Sequence, residues 1–298
     1  MSRLVLSFVL LGTFVLPLMP VSVQAEVIFK QRSLYRNIEV VDDRDSRCLR
    51  FANRERRVSR QSCQYFDDPD RLVFDYGKLV FTGFLMNPNP ERILIIGLGG
   101  GSLPRLMQKL FPESRIDSVE IDPAVIQVAE KYFSFTPREQ DSVVARDGRV
   151  FVRRALLSKQ TYDFILLDAF TGDYIPEHMM TREYLQECKE LLAEGGVLVA
   201  NTFSSSRLYR HETATFAAAF DWFFNMRRQT GNRVIITGKM PQPDLETLRD
   251  KARRIDWREY GIDLEENLDW IEAPSKRDLE ARVLTDEYSP ANLLNGPG

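Results

Sequence analysis

The chain of 298 residues is poor in the groups that metal chemistry needs: it has two histidines, three cysteines and no Cys/His spacing of metal type. That argues against a zinc site, which draws on clustered imidazoles and thiolates. The net charge is only −3 at pH 7, so no basic excess exists to neutralise phosphates and nothing electrostatic points to nucleic acid. The local cluster Arg54, Arg56, Arg57 and Arg60 reads as a solvated hairpin face. Beyond residue 25 no run is apolar enough to cross a membrane, which takes about 20 apolar residues. Internal repeats and low-complexity tracts are absent as well. The 44% hydrophobic content is enough to bury one full core with smaller additions.

The first 25 residues differ from the rest. Arg3 is a short basic region, Leu4 to Leu16 is apolar, and Val23-Gln24-Ala25 offers the small residues that a signal peptidase accepts. Pro17 and Pro20 disfavour a stable spanning helix. The pattern predicts an exported chain, periplasmic or secreted, or one tethered to the membrane by this segment if it is not cleaved. In an oxidising compartment Cys48 and Cys63, which fall in one N-terminal hairpin, can be bridged; two free, half-buried thiols are the alternative. Cys188 sits at helical spacing with Tyr184, Leu185, Leu191 and Leu192, which places it on an apolar face as a core residue.

Residues 26–88 carry short alternating segments such as Ile38-Glu39-Val40-Val41 and Cys48-Leu49-Arg50-Phe51, which predict a small antiparallel β domain. Asn87-Pro88-Asn89-Pro90 marks its end, because two prolines exclude regular ladder pairing. From 89 to 240 strands and helices alternate. Ile93–Ile96 leads to a helix at 103–110, Ile116–Ile121 to 123–132, Val143–Ala145 to 149–157, and Phe164–Leu167 to 181–192. Gly195-Gly196 ends that last helix and Val197–Ala200 opens another strand. Such alternation predicts an α/β fold with a doubly wound, parallel-type, Rossmann-like sheet. Residues 241–298 read as a charged, mainly helical extension that completes the sheet.

The strand Ile93–Ile96 breaks into Gly97-Leu98-Gly99-Gly100-Gly101 and a helix begins at once. Glycines allow a tight turn and close backbone approach to a ligand, and the helix start presents unpaired N–H groups. Gly97, Gly99 and Gly101 are therefore candidate cofactor residues. About twenty residues on, the next strand ends in Glu120-Ile121-Asp122, where such folds hold ribose hydroxyls, so Glu120 joins them. Acidic residues recur at later strand ends, as Asp147-Gly148 and Asp168. Asp122 before Pro123 fits a helix cap, and Asp147 can cap as well. Asp168 precedes a long irregular stretch, so it reads as functional.

Taken together, Gly97-Leu98-Gly99-Gly100-Gly101, Val119-Glu120-Ile121-Asp122, Asp147-Gly148, Tyr162–Asp168 and Thr181–Cys188 resemble the spermidine synthases in order and spacing over roughly residues 28–240. That family has the fold of S-adenosylmethionine methyltransferases and moves an aminopropyl group from decarboxylated S-adenosylmethionine to putrescine, with no metal. The resemblance implies that Glu120 takes the ribose, Asp147 with Gly148 the adenine edge, and catalytic Asp168 the acceptor amine. It also implies substrate roles for Gln64 (or Gln61), Tyr76 and Asp173, a small-molecule amine as partner, and a homodimer.

The departures bear on substrate. Where the family carries an aspartate inside the glycine motif this chain has Gly100, and where a second follows the catalytic one by three residues it has Thr171. Asp75-Tyr76-Gly77 stands in place of Tyr-His-Glu, so Tyr76 aligns with a shift and a carboxylate is lost; Asp173 and Glu177 would partly compensate. Each charge-assisted hydrogen bond is worth about 1.5–3 kcal/mol, so these losses weaken a dicationic substrate. Two alternatives follow. One is methyl transfer from S-adenosylmethionine itself, whose carboxylate would pair with Arg105 or Arg149. The other is a non-catalytic exported polyamine- or nucleoside-binding protein, with Ser204–His211 in its acceptor pocket. Leu284–Pro290 resembles a segment that closes the last hairpin of the sheet in related proteins.

Overall fold

A computed structural model describes residues 25–52, 58–169, 175–228 and 231–289. The N-terminal part is a four-stranded antiparallel sheet in the order β1 (Glu26–Arg32), β2 (Asn37–Asp43), β3 (Ser46–Ala52), β4 (Val58–Tyr65). Its alternation buries Ile38, Val40, Leu49 and Phe51 against a helix of the second sheet through Val125 and Val128. Cys48 lies opposite Cys63 in the β3–β4 ladder and the two are joined as a disulfide. Residues 1–24, with most of the signal-like segment, and Arg54, Arg56 and Arg57 lie outside the described residues.

The second sheet has eight strands in the order β7 (Ser142–Ala145), β6 (Arg115–Glu120), β5 (Arg92–Ile96), β8 (Tyr162–Leu167), β9 (Leu192–Phe203), β11 (Asn232–Gly238), β10 (Phe224–Arg227), β12 (Ile271–Glu272). The first five are parallel and the last three antiparallel. Ile93 to Ile96 are at most 1% exposed, as an apolar run in a strand covered on both faces requires. The strand order reverses between β5 and β8, and the crevice outside their C-terminal ends is where ligands bind in such sheets.

Helix starts along this edge are set by local chemistry. For α2 (Ser102–Leu110) the residue before it, Gly101, is left-handed with φ 74°. Asp122 accepts from Ala124 N ahead of α3 (Pro123–Tyr132), with Pro123 in the first turn, and Asp147 accepts from Val150 N ahead of α4 (Gly148–Leu157). Thr181 does the same for α5 (Arg182–Leu191) through Tyr184 N.

Several expectations are corrected. Residues 75–85 are not sheet: they form a short helix α1 (Asp75–Val80) that runs into a 3₁₀ turn at Phe81–Leu85. That turn presses on the sheet so closely that a Cβ on Gly83 would lie 2.7 Å from Val199 and 2.9 Å from Phe164, while the Phe84 and Phe164 rings stack at 4.0 Å. Gly195-Gly196 do not end α5, because β9 already starts at Leu192. The glycines lie in a bulge between the pairs Tyr162–Leu192 and Phe164–Val197, with Gly195 at φ 75°. Leu284–Ser289 closes no hairpin of the sheet, since Thr285 and Tyr288 pair only with each other while Asp286 reaches Arg149. The completing edge strand is β12.

Removing the disulfide with Cys48→Ser and Cys63→Ser frees a span of 15 residues. Unfolding free energy in denaturant is expected to fall by about 3 kcal/mol; an unchanged midpoint would show that the bridge carries no stability.

Candidate active site

The crevice opens into a cavity of about 360 Å³ between the two sheets. Its floor is the glycine loop. Gly97 has φ 104°, and a Cβ there would collide with the backbone carbonyl of Asp168. Only glycine lets the loop after β5 lie against the end of β8. Gly101 is similarly closed off by the Phe135 ring at 2.6 Å, and Gly148 by Ile96 at 2.5 Å and Met179 at 2.8 Å.

Glu120, the last residue of β6, is buried and lines the cavity. Its carboxylate accepts from Leu98 N at 3.2 Å and Asp122 N at 3.0 Å. Burial pushes its pKa up, and Arg36 and those amides pull against that rise. Asp122 behaves as a cap, and it also accepts from Ser33 Oγ, which ties the β1–β2 turn to the rim of the cavity. Asp147 caps α4 and also meets His178 Nε2 at 2.8 Å, which holds its carboxyl below the usual range. His178 also lines the cavity. It belongs to none of the sequence motifs, so nothing local in the sequence pointed to it.

Asp168 follows β8 on the opposite side of the glycine loop. Asn201 Nδ2, from β9, donates to it at 2.7 Å and the Tyr76 hydroxyl at 3.3 Å. Asn232 in turn donates to Asn201 Oδ1 at 3.0 Å. Burial raises the Asp168 pKa to about 7, with the Asn201 and Tyr76 hydrogen bonds holding it from going higher. The arrangement suits a carboxylate that orients an amine and accepts its proton near neutral pH. Sequence reasoning missed Asn201, because an Asn inside an otherwise apolar strand gives no motif.

Gln64 does not face the cavity. Its Oε1 accepts from Arg105 Nη1 at 3.0 Å, and Gln61 is the glutamine that lines the cavity. The guanidinium of Arg105 is taken up by Asp70, Gln64 and the Phe133 carbonyl, and that of Arg149 by Glu187, Asp286 and the His178 carbonyl. Neither arginine lines the cavity; Arg36 and Arg146 do. Ser204–His211 also lies away from it. Thr171 and Asp173 fall outside the described residues. At Gly100 a Cβ would sit 2.8 Å from Ser62 Oγ and 3.1 Å from the Phe133 ring. The space for a side chain at 100 is filled by Ser62 of β4, whose hydroxyl lies 3.2 Å from Ser102 Oγ. Among the described residues no group of three His, Cys, Asp or Glu side chains is placed to hold a metal ion.

Comparison with known proteins agrees with this geometry. A spermine/spermidine synthase domain matches residues 77–221. The polyamine aminopropyltransferase of Vibrio vulnificus is 48% identical over 300 residues, covering 98% of this chain and 99% of that protein. The chain belongs to the spermidine synthase family. Among solved structures, the spermidine synthase of Thermotoga maritima superposes with a TM-score of 0.64 at 22% identity, covering 85% of this chain and 87% of that one. Human methyltransferase-like protein 13, in complex with SAH, superposes at 0.57 with 25% identity, covering 68% and 96%. The Rossmann-like α/β fold expected from the strand–helix alternation, and the spermidine synthase family that the motifs resembled, are both present.

Donors stabilise the ionised form of Asp168, so Asn201→Ala is expected to raise its pKa by about one unit or more; carboxyl-carbon NMR titration reads this directly. Stability follows the same proton. Between about pH 4, where an unfolded aspartate ionises, and the folded value of about 7, the folded chain holds more protons, so stability falls as pH rises across that window. Asp168→Asn should flatten this slope in thermal melts from pH 5 to 8, and a slope equal to wild type would contradict the assignment.

Proposed function

We infer that this chain transfers an aminopropyl group from decarboxylated S-adenosylmethionine to a small amine, a step of polyamine biosynthesis. The observation that carries the reading is the Tyr76–Asp168 pair, backed by Asn201, facing the Gly97 loop and Glu120 across one cavity, in a chain 48% identical throughout to a polyamine aminopropyltransferase.

The nucleoside lies along the strand ends, with Glu120 at the ribose hydroxyls, the glycine loop beneath, and Asp147 with Gly148 at the base. This leaves the sulfonium side toward Asp168. The acceptor attacks only as a neutral amine. Its lone pair forms the new C–N bond as the C–S bond breaks and the electron pair returns to sulfur, which neutralises the sulfonium and releases methylthioadenosine. The secondary ammonium formed then gives up its proton, and Asp168 is placed to receive it. Tyr76 and Asn201 hold the Asp168 carboxylate in orientation, so much of the acceleration comes from positioning.

Gly100 and Ser62 put neutral groups where the family pattern has an aspartate, so the donor amine meets hydroxyls and not a carboxylate. Arg105 and Arg149, the cations expected to hold the carboxylate of an intact S-adenosylmethionine, are consumed elsewhere, which supports the decarboxylated donor over methyl transfer. We also propose that the chain is exported through its first 25 residues or tethered by them, supported by their signal-like pattern and by the Cys48–Cys63 disulfide. A homodimer is proposed on β1, an edge strand of its sheet among the described residues, where Val27 is 51% exposed.

Calorimetric titration with decarboxylated S-adenosylmethionine, S-adenosylmethionine and methylthioadenosine tests the reading. Tighter binding of the decarboxylated donor is expected; the reverse order would favour methyl transfer through Arg36 or Arg146, and no binding of any would leave a non-catalytic protein. Asp168→Asn is expected to cut turnover by at least 100-fold, the lower range for lost general-base catalysis, while methylthioadenosine affinity survives. Wild-type turnover in that variant would remove Asp168 from the chemistry.

A further inference from the structure

We propose that His178 is a specificity-determining residue that reads the exocyclic amino group of the adenine base through its Nδ1. The inference rests on the nucleoside reading of the cavity and extends it to a residue that this reading does not use.

Asp147 Oδ1 already accepts from Val150 N and Oδ2 meets His178 Nε2 at 2.8 Å, so each carboxylate oxygen carries one bond before any ligand arrives. An ionised carboxylate only accepts, so Nε2 must carry the hydrogen. In a neutral ring that leaves Nδ1 as an acceptor, and no partner for Nδ1 exists among the described residues. The ring lines the cavity with its side chain 48% exposed. The backbone of His178 is held from behind, since its carbonyl accepts from Arg149 Nη1 at 3.0 Å, and Arg149 is itself clamped by Glu187 and Asp286. Along the strand ends the ribose position at Glu120 on β6 is followed by Asp147 after β7, so the base falls at the Asp147–His178 pair. There Ile121 and Met179 supply apolar lining for a planar ring. An acceptor at this edge selects a base that donates, as the 6-amino group of adenine does, over one carrying a 6-oxo group.

The test is calorimetry of the full chain with 5′-methylthioadenosine and 5′-methylthioinosine. Wild type is expected to prefer the adenosine compound, and His178→Ala to lose about five- to tenfold of that preference, the worth of one hydrogen bond, with the melting temperature unchanged. His178→Gln, whose amide can still donate to Asp147 and accept, should keep part of it. If His178→Ala weakened both ligands equally, or left the preference intact, the ring would be structural and the inference wrong. Wild type binding neither compound would instead overturn the nucleoside reading itself, and the inference with it.

Discussion

The backbone of Gly97 passes so close to the carbonyl of Asp168 that no side chain fits between them, and the rest of the site is arranged around that contact. Gly97 N donates to Val119 O at 2.7 Å and Asp168 N to Ile96 O at 2.8 Å, so the ladder is carried one residue past the formal ends of β5 and β8. Those two strands flank the point where the strand order reverses. Their joined ends bring the nucleotide loop and the acceptor-side carboxylate to one rim, while the loop turns back to give Leu98 N to Glu120. A methyl group at residue 97 would wedge apart two strands that are otherwise buried on both faces.

Onto this edge the N-terminal sheet and α1 are lowered as a roof, held by apolar contact with α3 and by the Ser33–Asp122 hydrogen bond. The roof decides the polarity of the cavity. Ser62 fills the volume beside Gly100, Tyr76 reaches down to Asp168, and Arg36 lies over Phe51, 3.7 Å from Asp122. Besides Asp147, which meets His178, the carboxylates of Glu120 and Asp168 line this partly enclosed space. Burial raises both pKa values; Arg36 and two backbone amides oppose the rise at Glu120, and neutral donors alone oppose it at Asp168. A site built this way binds cationic ligands partly because their charge relieves that desolvation.

Much of the fold was legible because its signals are local. A continuous apolar strand, glycines at its end, and capping residues before each helix all act within a few residues of themselves, which is why Glu120, Asp147 and Asp168 were found where the sheet places them. Residues 75–85 were read as sheet because their helical propensity is weak and the turn at 81–85 is buried against Phe164 and Val199, far along the chain. The antiparallel strands β10 and β11 carried no motif, and their place, β11 beside β9 and β10 beyond it, is settled by sheet pairing.

The sequence by itself determined the strand–helix alternation of the parallel half, the glycine floor and the acidic residues at the strand ends, since hydrophobic period and backbone conformation are properties of consecutive residues. Only the tertiary structure decided which side chains complete the site. Asn201 and Tyr76 converge on Asp168 from separations of 33 and 92 residues, and His178 is set beside Asp147 by the Arg149 clamp. Gln64 is turned away because Arg105 takes its carbonyl. Such pairings depend on charge and hydrogen-bond competition across the packed interior, which no local period records.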